Sequence, residues 1–402
     1  MSFNIAIFLV DFGTIYTLYL AVSLTLNLEA GFAGVPNFGK VMFVAGGAAI
    51  AGSVCGRLSA IILGLNTYGN YNSHVPLLIT EINPLLRNDI PLSLALLALG
   101  ILLAAGIGSA MGFLASYPAI KLREDYLGML LLGAAQLFQI FLGGFEPFIG
   151  GTQGIEVPDV FGWADLGVGV RDVIILCFLI AFALIVYSYV ERVARSPLGR
   201  TLRAVRDNET ASRALGKNDV AIRRNVIIVA SAISGVAGAL LTFYVGSVGS
   251  ETWTRIEWTF WIWVIVIIGG AANNAGVALG ALSFTFLFKV VDQVKYQFSS
   301  YIPFDVNWLE YILFASLLIS ILAFRPGGIL PEKSSLTLPP MQVQGIMEGR
   351  QTSTQSSIKG KTLGFDPSPR KSELSSQGNP NFLDGTVCHG TRYSGEPDLS
   401  TS

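Results

Sequence analysis

The chain is 402 residues long, 52% hydrophobic and only 13% charged, with 44 glycines and a net charge of −1. A soluble domain carries about a quarter charged residues, so water is excluded as the surroundings of most of this chain, and with no basic domain or interleaved aromatic and basic residues, nucleic acid is excluded as a partner. Cys55, Cys177 and Cys388 are too few and too scattered to build a disulfide framework.

The opening stretch MSFNIAIFLVDFGTIYTLYL has no basic residue, and its apolar character runs past residue 20. It reads as a first membrane span rather than a cleaved signal peptide. A hydrocarbon layer of about 30 Å needs roughly 20 apolar residues per helix. On that measure spans are predicted near 6–28, 41–65, 91–117, 126–146, 172–190, 225–246, 258–271, 276–295 and 306–324. The expected fold is therefore all-α, a polytopic helical membrane protein of about nine spans. The seventh span is short, and with the eighth it brackets GGAANNAG (269–276), so two full spans or two half-helices around a re-entrant turn are both open.

Lysine and arginine set the orientation. The segments 29–40, 118–125, 191–224 and 325–402 hold 1, 2, 9 and 8 of them, against Arg87, Arg171, Arg255 and Lys295 on the other side. The N-terminus is expected outside, the C-terminus inside, and the loop 191–224 in the cytoplasm. The connections 66–90 and 147–171 are then extracellular loops, and Trp253, Trp258, Trp261 and Trp263 read as an interfacial aromatic belt. From Leu336 the chain is rich in Ser, Thr, Pro, Gly and Gln and lacks the apolar residues to order itself. The domain division is a permease domain over 1–332 and a disordered cytoplasmic tail over 333–402, where Cys388 and His389 are two metal-ligand types without a third.

The stretch RSPLGRTLRAVRDNETASRALG (195–216) is the most informative. Ser196 and Pro197 form an N-cap and first-turn pair. Leu198, Leu202 and Val205 recur at helical spacing, with Arg200, Arg203 and Arg206 away from them. Asp207-Asn208-Glu209 interrupts this helix, and a second short helix ends at Gly216 in a left-handed cap. The charge alone fits a topology signal or a contact with anionic lipid as well as a docking site. An ordered, capped, amphipathic element points further, toward a groove on another protein.

Residues 12–331 resemble the membrane subunits of ABC importers for branched-chain amino acids. The likeness rests on LNLEAGFAGVPNFGKVMF (26–43), REDYLGMLLLGAAQLFQIF (123–141) and the run from Arg195 through GVAGALLTFYVG, IIGGAANNAGVALGA and FRPGGILPE. The resemblance implies that the cytoplasmic loop inserts into a separate ATP-binding cassette subunit, with Arg200, Arg203, Arg206, Glu209, Ala211 and Gly216 at the matching positions. It also implies a second permease subunit, an extracellular substrate-binding protein and a cell-membrane location. The family usually carries an apolar residue, Ser and Gln where this chain has Glu29, Asn37 and Lys40, and different residues where it has Asn273, Asn274 and Val277.

Glycine-interrupted apolar segments are the sequence pointer to a transport path, and 31–52 and 266–281 fit. Asn37, Asn273 and Asn274 are the polar candidates there, although close helix packing explains the glycines as well. Ionisable groups within spans are functional by default: Asp11, Arg57, Glu146, Lys289 and Asp292. Lys289 and Asp292 are expected to pair with each other, while Arg57, without a partner nearby in sequence, joins the path candidates. No phosphate-binding loop, metal cluster or catalytic triad is present, so neither ATP hydrolysis nor a cofactor is expected in this chain. The rival readings are a related importer for urea, short amides or sugars, and an ion-coupled secondary transporter.

Overall fold

The computed structural model describes residues 5–65, 71–122, 124–165, 169–295, 307–325 and 327–332. The predicted tail, with Cys388 and His389, lies outside the described residues. Helix α1 (Ile5–Leu26) continues into a π-helical turn, Asn27–Phe32, before α2 (Lys40–Ile62). There follow α3 (Tyr71–Asn88), α4 (Ile90–Lys121), α5 (Glu124–Gly144), the single turn α6 (Glu146–Ile149) and α7 (Val170–Arg195). Two short helices, α8 (Pro197–Asp207) and α9 (Glu209–Ala214), lead to α10 (Asp219–Val245). A π-helical turn, Ile256–Phe260, runs into α11 (Trp261–Gly269), and α12 (Asn274–Lys295) and α13 (Asn307–Phe324) complete the helices.

Seven helical stretches among the described residues are long and apolar enough to cross a membrane: Ile7–Phe32, Lys40–Ile62, Ile90–Pro118, Asp125–Gly144, Val170–Arg195, Asp219–Val245 and Asn274–Gln293. The protein is thus a polytopic helical membrane protein, with seven spans by this measure rather than nine. The other two predicted spans are the shorter apolar helices Ile256–Gly269 and Glu310–Phe324. At 1.5 Å per residue the first of these reaches about 21 Å, short of a 30 Å hydrocarbon layer. It packs closely along the full-length α12, because Gly269, Gly276 and Gly280 have no side chains. A Cβ at Gly269 would lie 2.4 Å from the Gly276 carbonyl oxygen.

Packing at the centre depends on the same device. A Cβ at Gly238 of α10 would meet the Val44 carbonyl oxygen of α2 at 1.9 Å, and one at Gly47 would meet that of Gly235 at 2.0 Å. Lipid gives no hydrophobic drive for helices to associate, so close backbone approach and dispersion contact hold such helices together. Conversely, α4, α5 and α7 turn Leu102, Leu114, Met129, Leu137 and Ile185 outward, each more than 60% exposed, as a lipid-facing surface requires.

Two sequence expectations need correction here. Residues 71–88 form a helix despite Pro76 and Pro84, because Val75, Ile79, Ile82 and Leu86 recur at helical spacing and are buried. The connection before α7 is tied down as well: Ile155–Glu156 pairs antiparallel with Ser247–Val248. The tryptophan cluster is not an interfacial belt. Trp253, Trp258 and Trp261 are almost wholly buried, packing with Tyr19, Phe284 and Phe314 at ring separations of 4.9–5.7 Å. Trp263 stacks on Phe38 at 4.6 Å.

Candidate functional site

The first helix breaks at Asn27–Phe32, a widened turn that leaves polar side chains inside the protein. Glu29 and Lys40, both wholly buried, form an ion pair at 2.7 Å. The Asn37 amide donates to both Glu29 carboxylate oxygens at 3.2 Å, and its own oxygen accepts from the Gly39 amide at 2.9 Å. Lys40 also donates to Thr25, whose hydroxyl lies 3.1 Å from that of Ser234 on α10. Both charges have lost all water, and the surrounding bonds compensate each of them. Such a pair is costly to break from one side.

Two residues earlier, Asn27 reaches the break between α11 and α12. Its oxygen accepts from the Ala272 amide at 2.7 Å, and its amide donates to Asn274 at 2.9 Å. The Asn274 amide in turn donates to Glu191 of α7 at 2.7 Å. A Cβ at Gly31 would collide with both Asn27 and Ala272, at 2.3 and 2.6 Å, so only glycine lets the two breaks meet. Asn273 faces the end of the described chain, donating to the Leu330 and Pro331 carbonyls.

The loop between α7 and α10 is built as its caps predict. Ser196 accepts from the Gly199 amide and opens α8, Asn208 accepts from the Ala211 amide and opens α9, and Gly216 closes α9 at φ +74°. Leu202 and Val205 are buried, whereas Leu198 is exposed. The arginines divide in a way the sequence did not disclose. Arg206 donates to the Gly31 carbonyl oxygen at the first break and pairs with Glu332 at 2.9 Å. Arg203 pairs with Glu332 at 3.2 Å and lies over the Phe32 ring at 5.0 Å. Arg200, Ala211, Leu215 and Gly216 are exposed. Glu209 pairs with Arg213 and Arg223, and Arg213 also holds Asp219, whose hydrogen bond and charge raise the guanidinium pKa. The segment ending at Glu332 acts as a strap, since the Ile329 and Leu330 amides donate to the Ile268 and Gly269 carbonyls.

Two intramembrane expectations change. Lys289 pairs with Asp11 of α1 at 2.5 Å, a partner from outside its own helix. Arg57 has partners: it donates to the Pro147 and Phe148 carbonyls and to Asn72, and lies 5.3 Å from the Tyr71 ring centre. It ties α2 to α3 and α6, and none of these partners is Asn37, Asn273 or Asn274. Glu29, Lys40, Asn27, Glu191 and Glu332 are the residues that sequence reasoning passed over. Glu29 and Lys40 were visible only as departures from the resemblance. No group of three metal-ligating side chains occurs among the described residues.

A bundle of apolar spans with two facing helix breaks, fastened to a structured loop between α7 and α10, defines a multi-pass transport protein. The family model described as the permease component of branched-chain amino acid transport systems matches residues 8–322, and the chain belongs to that family. It is 36% identical over 335 residues to the probable branched-chain amino acid transport permease protein LivM of Methanocaldococcus jannaschii, covering 83% of this chain and 95% of the relative. It is also 27% and 26% identical to the high-affinity branched-chain amino acid transport system permease proteins LivM of Salmonella typhimurium and Escherichia coli. Each of those matches covers 85% of this chain and 74% of the relative. No solved structure matches the chain.

Proposed function

We propose that the chain is the permease subunit of an ATP-driven importer that moves branched-chain amino acids across the cytoplasmic membrane. The N-terminus lies outside, α11 and α13 complete nine crossings, and α8 and α9 lie in the cytoplasm. A separate ATP-binding cassette subunit grips α8 and α9, a second permease subunit completes the path, and an extracellular binding protein delivers the substrate. Asn37, Asn273 and Asn274 lie along the path at the two breaks. The observation that carries this reading is the two-sided loop: one side is fastened through Arg203 and Arg206 to the first break and to Glu332, the other is open to a partner. ATP-driven closure of the ATPases would pull on α8 and α9, and the pull would arrive at Gly31, in the widened π-helical turn that follows α1.

The grip is assigned to Arg200, Ala211 and Leu215, the last being 81% exposed. Leu215→Asp with Arg200→Glu is expected to leave the permease inserted but to lower its co-purification with the ATPase and its ATP-driven leucine uptake at least tenfold. That corresponds to about 1.4 kcal/mol or more of lost contact. Undiminished co-purification and uptake would remove α8 and α9 from the docking role.

A further inference from the structure

Beside the second helix break lies a cavity of about 340 Å³. Polar groups from several elements line it: Glu191 and Arg195 of α7, Arg203 of α8, Asn273 just before α12 and Asn274 at its start. Phe32 and Tyr187 supply apolar walls. The cavity therefore presents an anion, two cations, two amides and aromatic surface within a volume suited to a small molecule. We propose that it is a second binding site, facing the cytoplasm, for a free α-amino acid with an apolar side chain, and that occupancy holds α8 against the spans and slows the transporter.

The chemistry of the lining selects the ligand class. An α-carboxylate finds Arg203 and Arg195, the guanidinium groups suited to bidentate contact with a planar anion. The start of α12 adds its dipole in the same sense. An α-ammonium finds Glu191, whose carboxylate is engaged by Arg195 at 2.6 Å and Asn274 at 2.7 Å and retains acceptor capacity. A branched aliphatic side chain is left with Phe32 and Tyr187. A simple anion would leave Glu191 opposed, and a simple cation would face two arginines, so a zwitterion answers the whole set.

The position gives the consequence. Arg203 belongs to the loop, Glu191 to α7, and Asn274 to the break linked through Asn27 to α1. A ligand spanning them bridges the three elements that must separate if the loop transmits movement. It would bind most tightly to the state seen here and disfavour any state in which α8 shifts, which is the condition for one ligand to bias a two-state element. The transported amino acid, accumulated inside, is the natural occupant, so the cavity is a feedback site for the product.

The inference rests on the importer reading and on the cytoplasmic placement of α8. The test uses the whole complex in proteoliposomes, with the ATPase face outward and the binding protein and leucine sealed inside. ATP hydrolysis and leucine efflux into the medium first establish the importer and its orientation; without them the importer reading itself fails. L-leucine, 4-methyl-2-oxopentanoate, which lacks the ammonium, and 3-methylbutylamine, which lacks the carboxylate, are then added outside at millimolar concentration. Leucine is expected to lower ATP hydrolysis roughly fivefold, the scale of a typical coupling between sites, and the two analogues to leave it unchanged. Ala275→Phe, which fills the cavity from its exposed α12 edge without removing a polar group, abolishes the leucine response. Glu191→Gln shifts the response to higher leucine concentration. A wild-type rate indifferent to external leucine, equal inhibition by either analogue, or undiminished inhibition in Ala275→Phe would overturn the proposal. The analogue comparison needs no variant and stands if one fails to fold.

Discussion

The buried pair Glu29–Lys40 gives the sharpest quantitative expectation. Both side chains are wholly inaccessible, so no screening by water reduces their interaction. Lys40→Met removes the ammonium, its 3.0 Å bond to Thr25 and its ion pair with Glu29, leaving a carboxylate supported by Asn37 alone. Breaking a buried pair from one side costs about 3–5 kcal/mol, whereas replacing both partners by apolar residues of similar size is often neutral or stabilising. Glu29→Leu alone is expected to lose a similar amount, and Glu29→Leu with Lys40→Met together to recover most of it. The coupling energy is then at least about 5 kcal/mol in magnitude, of opposite sign to the single losses. Reversible unfolding in mixed micelles with increasing sodium dodecyl sulfate measures all four proteins, and leucine uptake is followed in parallel. Additive losses in the double variant would refute the pair as a coupled unit. The double variant also restores an apolar residue at position 29, as the sequence resemblance expects, so retained uptake would place the pair in architecture rather than in substrate contact.

Gly238→Ala sets a Cβ 1.9 Å from a backbone oxygen that cannot turn aside, so the spans must shift. Such overpacking costs about 1–3 kcal/mol, seen as a lower midpoint in the same unfolding assay. Glu332→Gln removes the charge that pairs with Arg203 and Arg206, whose side chains, like that of Glu332, are only about a quarter exposed, while the isosteric amide keeps its shape and an acceptor oxygen. Stability should scarcely move, while the number of ATP molecules hydrolysed per leucine transported should rise; a parallel fall in both would point to a folding defect. Ending the chain after Lys333 keeps Glu332 and is expected to leave uptake within about twofold of the full-length protein, measured per inserted molecule.

Local chemistry made α8 and α9 legible. Their ends are fixed by Ser196, Asn208 and Gly216, residues that act on backbone groups within three or four positions of themselves. The long spans were legible because apolar length alone decides them. Partners distant in the chain were not. Lys289 pairs with Asp11, 278 positions off. Arg57 finds carbonyls freed at the turn 145–148, about which its own surroundings say nothing. Helix α3 was hidden by its two prolines, whose cost in a helix interior is met by the burial of Val75, Ile79, Ile82 and Leu86. Glu29 and Lys40 stood out only as departures from the family resemblance; the widened turn at Asn27–Phe32, beside which both are buried, has no local sequence signature.

The strap ending at Glu332 also imposes an order in time. Glu332, which clasps Arg203 and Arg206, is synthesised more than a hundred positions after them, so α8 leaves the ribosome with Gly31 and Phe32 already made but without this carboxylate. The clasp closes only when residues 327–332 have returned to Ile268 and Gly269. A partner that needs the seated loop would therefore meet it only after residues 327–332 have been made.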